Sequence, residues 1–205
     1  MTQGSCRRNS SGGARGGSAR TALLLVDFIN ALDFERGEAL RPAAELAARN
    51  AAGLKRRLKA AGIVAIYGND NFGRWRSNFN ELVASCSAPE SRGRELARVL
   101  APDDDDLSVI KPRHSAFYGT PLEFLLAELG IGRLVIVGVV TEMCVLFTAH
   151  DAYLRKFDLW IPADCVASTS EKNHTRTLEH LADVLGADTR PSTAVPADEM
   201  APART

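Results

Sequence analysis

The chain has no net charge, no apolar run of membrane length and no paired cysteines. Lys plus Arg and Asp plus Glu number 25 each among its 205 residues. That balance supplies no long-range field for nucleic acid or an anionic membrane, both of which favour basic surfaces. A small molecule is the expected partner, with no nucleic acid and no membrane. No apolar stretch approaches the roughly 18 residues that span a bilayer. The four cysteines, Cys6, Cys86, Cys144 and Cys165, are widely spaced with no C-x-x-C pair. Zinc held by cysteine is therefore not expected, and the usage suits a reducing cytoplasm. Residues 1–20 contain no acidic residue and no apolar h-region, so no secretory signal is read there. Their Arg and Ser content resembles a transit peptide, but their glycines argue against an amphipathic helix. Residues 1–20 and 191–205 read as flexible tails.

What is present is an alternation of short apolar runs and amphipathic stretches. "TALLLVD" (Thr21–Asp27) is nearly continuous in apolar residues, as a parallel strand buried on both faces requires. Leu40, Ala44, Ala47, Ala51, Leu54 and Leu58 then recur at steps of four and three, an apolar helical stripe. Pro42 suits its first turn and Gly62 its C-terminal cap. Further strands are expected at Ile63–Gly68, Leu107–Lys111, Arg133–Val139 and Phe157–Pro162, with a short one near Thr189. Helices are expected at Phe79–Ser85, Arg94–Leu100, Pro121–Gly130, Glu142–Arg155 and Glu171–Leu185. The alternation predicts an α/β domain over residues 21–190: a three-layer α-β-α sandwich around a mostly parallel, Rossmann-like sheet.

Ligands of such sheets bind beyond the carboxyl ends of the strands. Asp27 ends the first strand, Lys111 the third, and Cys144 lies just past the fourth. An acid, an ammonium and a thiol on one rim form a nucleophilic constellation. A free thiol is mostly protonated at neutral pH. A helix N-terminus near Thr141 and the Lys111 ammonium should both lower its pKa, and Asp27 can then shuttle protons. Each residue alone has a plainer reading. A strand-end carboxylate often caps the next helix, Lys111 before Pro112 can snorkel from an edge, and free cysteines are often buried and inert. It is their conjunction that favours catalysis.

"ALLLVDFIN", "KPRHSAFYGTPLEFLL" and "LVIVGVVTEMCVLFTAHDAYLRKFDLWIPADCVAS" together resemble the isochorismatase-like cysteine hydrolases. That family includes nicotinamidases, N-carbamoylsarcosine amidohydrolases and isochorismatases. The resemblance runs from Thr21 to about Ala187 and is most specific in the strand, glycine and V-x-T-x-x-C turn. It implies that Asp27, Lys111 and Cys144 form a catalytic triad. It also implies a non-proline cis peptide at Val139–Val140 and an oxyanion hole from the backbone N–H groups of Val140 and Cys144. The expected chemistry is hydrolysis of a small amide or related C–N bond through a Cys144 thioester. Vinyl-ether hydrolysis of an isochorismate-like substrate and a non-catalytic binding role remain open. Family members are usually oligomers, so a homo-oligomer, dimer or tetramer, is expected.

The chain departs from the nicotinamidases, which carry an Asp-x-His metal pair after the second strand. Here that place reads "YGNDNFGRW", and neither neighbour of Asp70 is histidine. Asp70 between two asparagines is a poor transition-metal site, so no metal and no cofactor are expected. Asn69 and Asn71 could instead hydrogen-bond a substrate while Phe72 and Trp75 wall its pocket; equally, the asparagines cap turns. Phe117 and Tyr118 follow Lys111 closely and are also pocket candidates, or core aromatics. His114 is close enough in sequence to be a proton shuttle, against a plain surface histidine. Cys165 reads as structural, Asp151 as a structural hydrogen-bond or subunit contact, and "PDDDD" (Pro102–Asp106) as a solvated loop.

Overall fold

A computed structural model describes residues 19–75 and 78–200. The expected tail at the N-terminus lies outside these residues up to position 18, and the first strand begins at Arg20. The strands are β1 (Arg20–Val26), β2 (Val64–Asp70), β3 (Leu107–Lys111), β4 (Ile131–Val139), β5 (Asp158–Trp160) and β6 (Val166–Ala167). The helices are α1 (Gly37–Ala60), α2 (Phe79–Ser87), α3 (Arg94–Val99), α4 (Leu122–Glu128), α5 (Leu146–Leu154) and α6 (Glu171–Leu185). One parallel sheet runs β3-β2-β1-β4-β5, and β6 pairs with the far end of β4.

Because every pairing is parallel, the strands share one carboxyl rim. β1 lies in the middle, and Ala22 to Val26 are fully buried, which explains its unbroken apolar run. Its side chains alternate between two cores. Leu23 and Leu25 pack with α1, α2 and α3 through Leu54, Leu58, Leu82 and Leu96. Leu24 and Val26 pack with α4, α5 and α6 through Leu126, Ala149 and Leu181. The result is the three-layer sandwich. At its centre Gly138 (φ 149°) faces Val26, whose carbonyl oxygen would lie 2.1 Å from an added Cβ. Only glycine lets β4 pass β1 there.

Several local expectations are corrected. α1 starts at Gly37, where a Cβ would meet the Leu32 carbonyl oxygen at 2.0 Å, so Pro42 lies beyond the first turn. The short strand near Thr189 is a single bridge between Trp160 and Asp188. Residues 191–200 are no free tail. Ser192 donates to Asp164 Oδ2 at 2.7 Å, and Val195 and Met200 are buried in the α1-side core. The acidic run is not merely solvated either. Lys59 Nζ meets Asp103, Asp105 and Asp106 at 2.6–2.8 Å, and Asp106 also bonds Lys55. Among the described residues, no helix is long and apolar enough to cross a membrane.

Candidate active site

Asp27 follows β1 in the left-handed region (φ 54°), a conformation that Asp tolerates better than most residues. Its Oδ1 accepts the Asp70 N–H at 2.7 Å, and its Oδ2 meets Lys111 Nζ at 2.7 Å. Lys111, fully buried at the end of β3, also donates to the Arg113 carbonyl oxygen at 3.2 Å. Its Nζ lies 3.6 Å from Cys144 Sγ and 3.6 Å from Asp70 Oδ2. Cys144 stands in a π-helical turn, Thr141–Val145, that links β4 to α5. The Val139–Val140 peptide before that turn is cis. Ser168 Oγ donates to Glu142 Oε1 at 2.8 Å, and Thr141 Oγ1 lies 3.0 Å from His174 Nδ1. These contacts brace the turn against β6 and α6. The structure thus brings Asp27, Lys111 and Cys144 together.

Their electrostatics differ from the expectation at one point. Burial raises the Asp27 pKa, against lowering by the Lys111 charge and by hydrogen bonds from Cys144 and Lys111. For Lys111 burial acts downward, but the charge and hydrogen bond of Asp27, with the Asp70 charge beyond, outweigh it and hold the ammonium. The Cys144 thiol is pushed up, chiefly by burial and then by the Asp27 charge, with Lys111 opposing. The expected lowering is therefore overturned. The site sets a thiol whose pKa is pushed up beside a carboxylate of raised proton affinity, an arrangement suited to proton transfer during the reaction.

Residues 21–191 match the Isochorismatase domain. The chain belongs to the isochorismatase family. Like its family, it is a hydrolase. It is 38% identical over 170 residues to the isochorismatase family protein YaaI of Bacillus subtilis, covering 83% of this chain and 93% of that one. It is 30% identical over 167 residues to the ureidoacrylate amidohydrolase RutB of Methylorubrum extorquens, covering 67% of this chain and 65% of RutB. The crystal structure of N-carbamoylsarcosine amidase from Thermoplasma acidophilum superposes with a TM-score of 0.67 at 25% identity. That match covers 86% of this chain and 98% of the amidase.

Around this isochorismatase-family centre the other candidates divide. A cavity of about 820 Å³ is lined by Asn30, Phe34, Asn71, Phe72, Trp75 and neighbours. It adjoins the triad in sequence through Asp27 to Asn30 and Asp70 to Asn71. Trp75 is 79% exposed and Phe72 43%. Asn71 lines this cavity while its Oδ1 accepts the Gly73 N–H at 2.9 Å, a turn cap. Asn69 is corrected: fully buried, it donates to the Ile29 carbonyl oxygen at 2.8 Å and braces the loop after β1. Alternation along β2 turns it away from Asp70. Phe117 is also corrected. It is a core residue with its ring 6.0 Å from Phe157 and the Arg155 guanidinium 4.9 Å above it. Tyr118 is 64% exposed and does not line this cavity. A larger cavity of about 920 Å³ is lined by Arg133, Asp158 and Leu185. It opens near the amino ends of β4 and β5, the wrong rim for a ligand of such a sheet.

The sequence reading missed the contact of Asp70 with Lys111. β2 runs two residues past the expected Gly68, and its register places Asp70 directly opposite Lys111. The contact bears on whether a cation fits beside Asp70. Asp70 Oδ1 accepts the Phe72 N–H at 2.7 Å, and its Oδ2 faces an ammonium, so a cation there would meet like charge. Among the described residues, the only cluster of three metal-type donors is Asp103, Asp105 and Asp106, which already pair with Lys55 and Lys59. The donors near Asp70 do not fit a catalytic metal. Cys165 is fully buried with its thiol pushed up by burial, and Asp151 bonds Ser115 and Arg155.

Proposed function

We propose that the chain hydrolyses a small amide or related C–N bond through a thioester on Cys144. The observation that supports this most is the single contact set of Lys111 Nζ, 2.7 Å from Asp27 and 3.6 Å from Cys144 Sγ. In this scheme the thiol proton passes to Asp27 as Sγ attacks the acyl carbon. Lys111 stabilises the charge on sulfur. The developing oxyanion is held by the backbone N–H groups of Val140 and Cys144. The C–N bond breaks as Asp27 returns the proton to the departing nitrogen. Water then attacks the thioester, Asp27 takes its proton, and the sulfur leaves and recovers that proton. No step needs a metal or cofactor.

The cavity beside Asn71, Phe72 and Trp75 would take the substrate body. The names of RutB and N-carbamoylsarcosine amidase both carry a ureido or carbamoyl group, which puts ureido acids first among candidate substrates. The reading includes a small-molecule substrate, a homo-oligomer, dimer or tetramer, and a cytoplasmic setting. The test is a hydrolysis screen over ureido acids, simple amides and isochorismate, run beside the Cys144→Ala protein. Release of ammonia or amine that disappears in Cys144→Ala supports the proposal. Turnover of isochorismate alone, surviving in Cys144→Ala, would replace it with acid-catalysed ether cleavage. No turnover of any class would favour a binding role.

A further inference from the structure

The four histidines fall into two settings. His114 Nδ1 lies 3.7 Å from Cys144 Sγ and His174 Nδ1 3.0 Å from Thr141 Oγ1, both at the Cys144 turn. His150 and His180 meet each other instead, with one Nε2 3.1 Å from the other. His150 stands on α5 and His180 on α6. Their chain neighbours Ala149 and Leu181 are fully buried in the core that these helices share. The imidazoles thus lie at the solvent edge of the α5–α6 seam, and both are half-buried. Their centroids are 5.2 Å apart and their planes 27°, so the two Nε2 atoms are the facing corners of the rings. Among the described residues, neither ring has another hydrogen-bond partner.

We infer that His150 and His180 form a two-imidazole chelate for a divalent late first-row transition ion, with zinc as the expected occupant. The distance carries it. Zinc–imidazole bonds of about 2.0–2.1 Å at a tetrahedral angle set two nitrogens about 3.3 Å apart, close to the 3.1 Å seen. Imidazole suits zinc, copper and nickel, whereas calcium and magnesium take oxygen donors. A ligand imidazole must be neutral. Burial, then the His180 charge, holds the His150 pKa below its ordinary value. Water fills the remaining positions. Asp183, exposed and three residues beyond His180 on α6, shares that face of the helix and can join them. The ion is a staple, not a catalyst. It ties α5, which starts directly after the Cys144 turn, to α6, whose Asn173 and His174 contact Glu142 and Thr141 of that turn. Such a tie exists only in the folded chain, so it stabilises by mass action. The site is independent of the reaction proposed above and distinct from the Asp70 position, where Lys111 opposes a cation.

The test is zinc titration of the full chain, carrying no polyhistidine tag, by isothermal calorimetry and by thermal melts. Wild type is compared with His150→Gln, His180→Gln and the double variant. Cys144→Ala runs alongside, because thiolates also take zinc. The expected result is one zinc per chain in wild type and in Cys144→Ala, bound about ten-fold or more weakly in each single histidine variant. Zinc at about 100 times its Kd should raise the wild-type Tm by roughly 5–10 °C and leave that of the double variant unmoved. Equal binding by wild type and the double variant would overturn the inference. So would binding lost only in Cys144→Ala, or no binding tighter than about 1 mM; the pair would then be a neutral N–H···N hydrogen bond and nothing more. Circular dichroism checks the folds, and if glutamine disturbs the seam, His150→Asn and His180→Asn carry the comparison. No substrate is needed, so the outcome stands apart from that of the hydrolysis screen.

Discussion

Replacing Lys111 by methionine should be costly, and the cost should depend on pH. The ammonium is fully buried and Asp27 is 5% exposed, so the solvent screening that weakens surface pairs is absent. Methionine fills the space of the lysine stem but leaves Asp27 Oδ2, Asp70 Oδ2 and the Arg113 carbonyl oxygen without their donor. Removing one partner of a buried pair typically destabilises by about 3–5 kcal/mol. Urea unfolding at neutral pH, followed through the buried Trp160, should show a loss of that size. The sign of the pH dependence follows from Asp27. Burial already raises its pKa above the ordinary 3.8, and loss of the ammonium raises it further. A group raised in the folded state stabilises below its unfolded pKa, and that stabilisation is lost as pH rises through the folded value. The penalty of Lys111→Met should therefore shrink as pH falls through the folded pKa of Asp27. The double variant Asp27→Asn/Lys111→Met should lose less than the sum of the singles. A loss below about 0.5 kcal/mol, or a penalty constant with pH, would refute a buried charged pair.

Turnover, once a substrate is in hand, should have an acid limb set by Asp27 and lying above the usual carboxylate range, because burial raises that group. Asp27→Asn should remove the limb along with nearly all activity in a kcat/KM profile. Gly138→Ala places a Cβ 2.1 Å from the Val26 carbonyl oxygen, so β4 must shift off β1; a thermal melt should show a loss of about 3 kcal/mol or more, or no soluble protein. Trp75→Ala removes a mostly exposed wall of the cavity. It should leave stability within about 0.5 kcal/mol while raising KM; an unchanged KM would take Trp75 out of the substrate's reach.

The triad was legible because each member follows an apolar strand, and parallel strands deliver their ends to one rim. Asp27, Lys111 and Cys144 needed no more than that rule. What escaped depended on the third dimension. The direction of the Cys144 shift is decided by burial and by the Asp27 charge, whereas a linear reading saw only the helix start and the lysine. Asp70 was hidden by ending β2 two residues early at a glycine. Asn69 and Asn71 look alike in sequence, but Asn69 lies within β2 and is buried against the Ile29 carbonyl, whereas Asn71 follows the end of the strand and lines the cavity. Phe117 and Tyr118 are neighbours with opposite fates, core and solvent, because Ala116 and Ser115 are pinned to α5. The packing of Ser192, Val195 and Met200 rests on Asp164 and the α1-side core, contacts that no local pattern announces.

The central claim is that Cys144 becomes acylated. Rapid acid quench during hydrolysis of an amide substrate, followed by mass analysis of the peptide bearing residue 144, tests it directly. The account predicts an adduct equal to the acyl part of the substrate on Cys144, and none in Cys144→Ala, which should be inactive. An unmodified Cys144 throughout turnover, with Cys144→Ala as active as wild type, would contradict it.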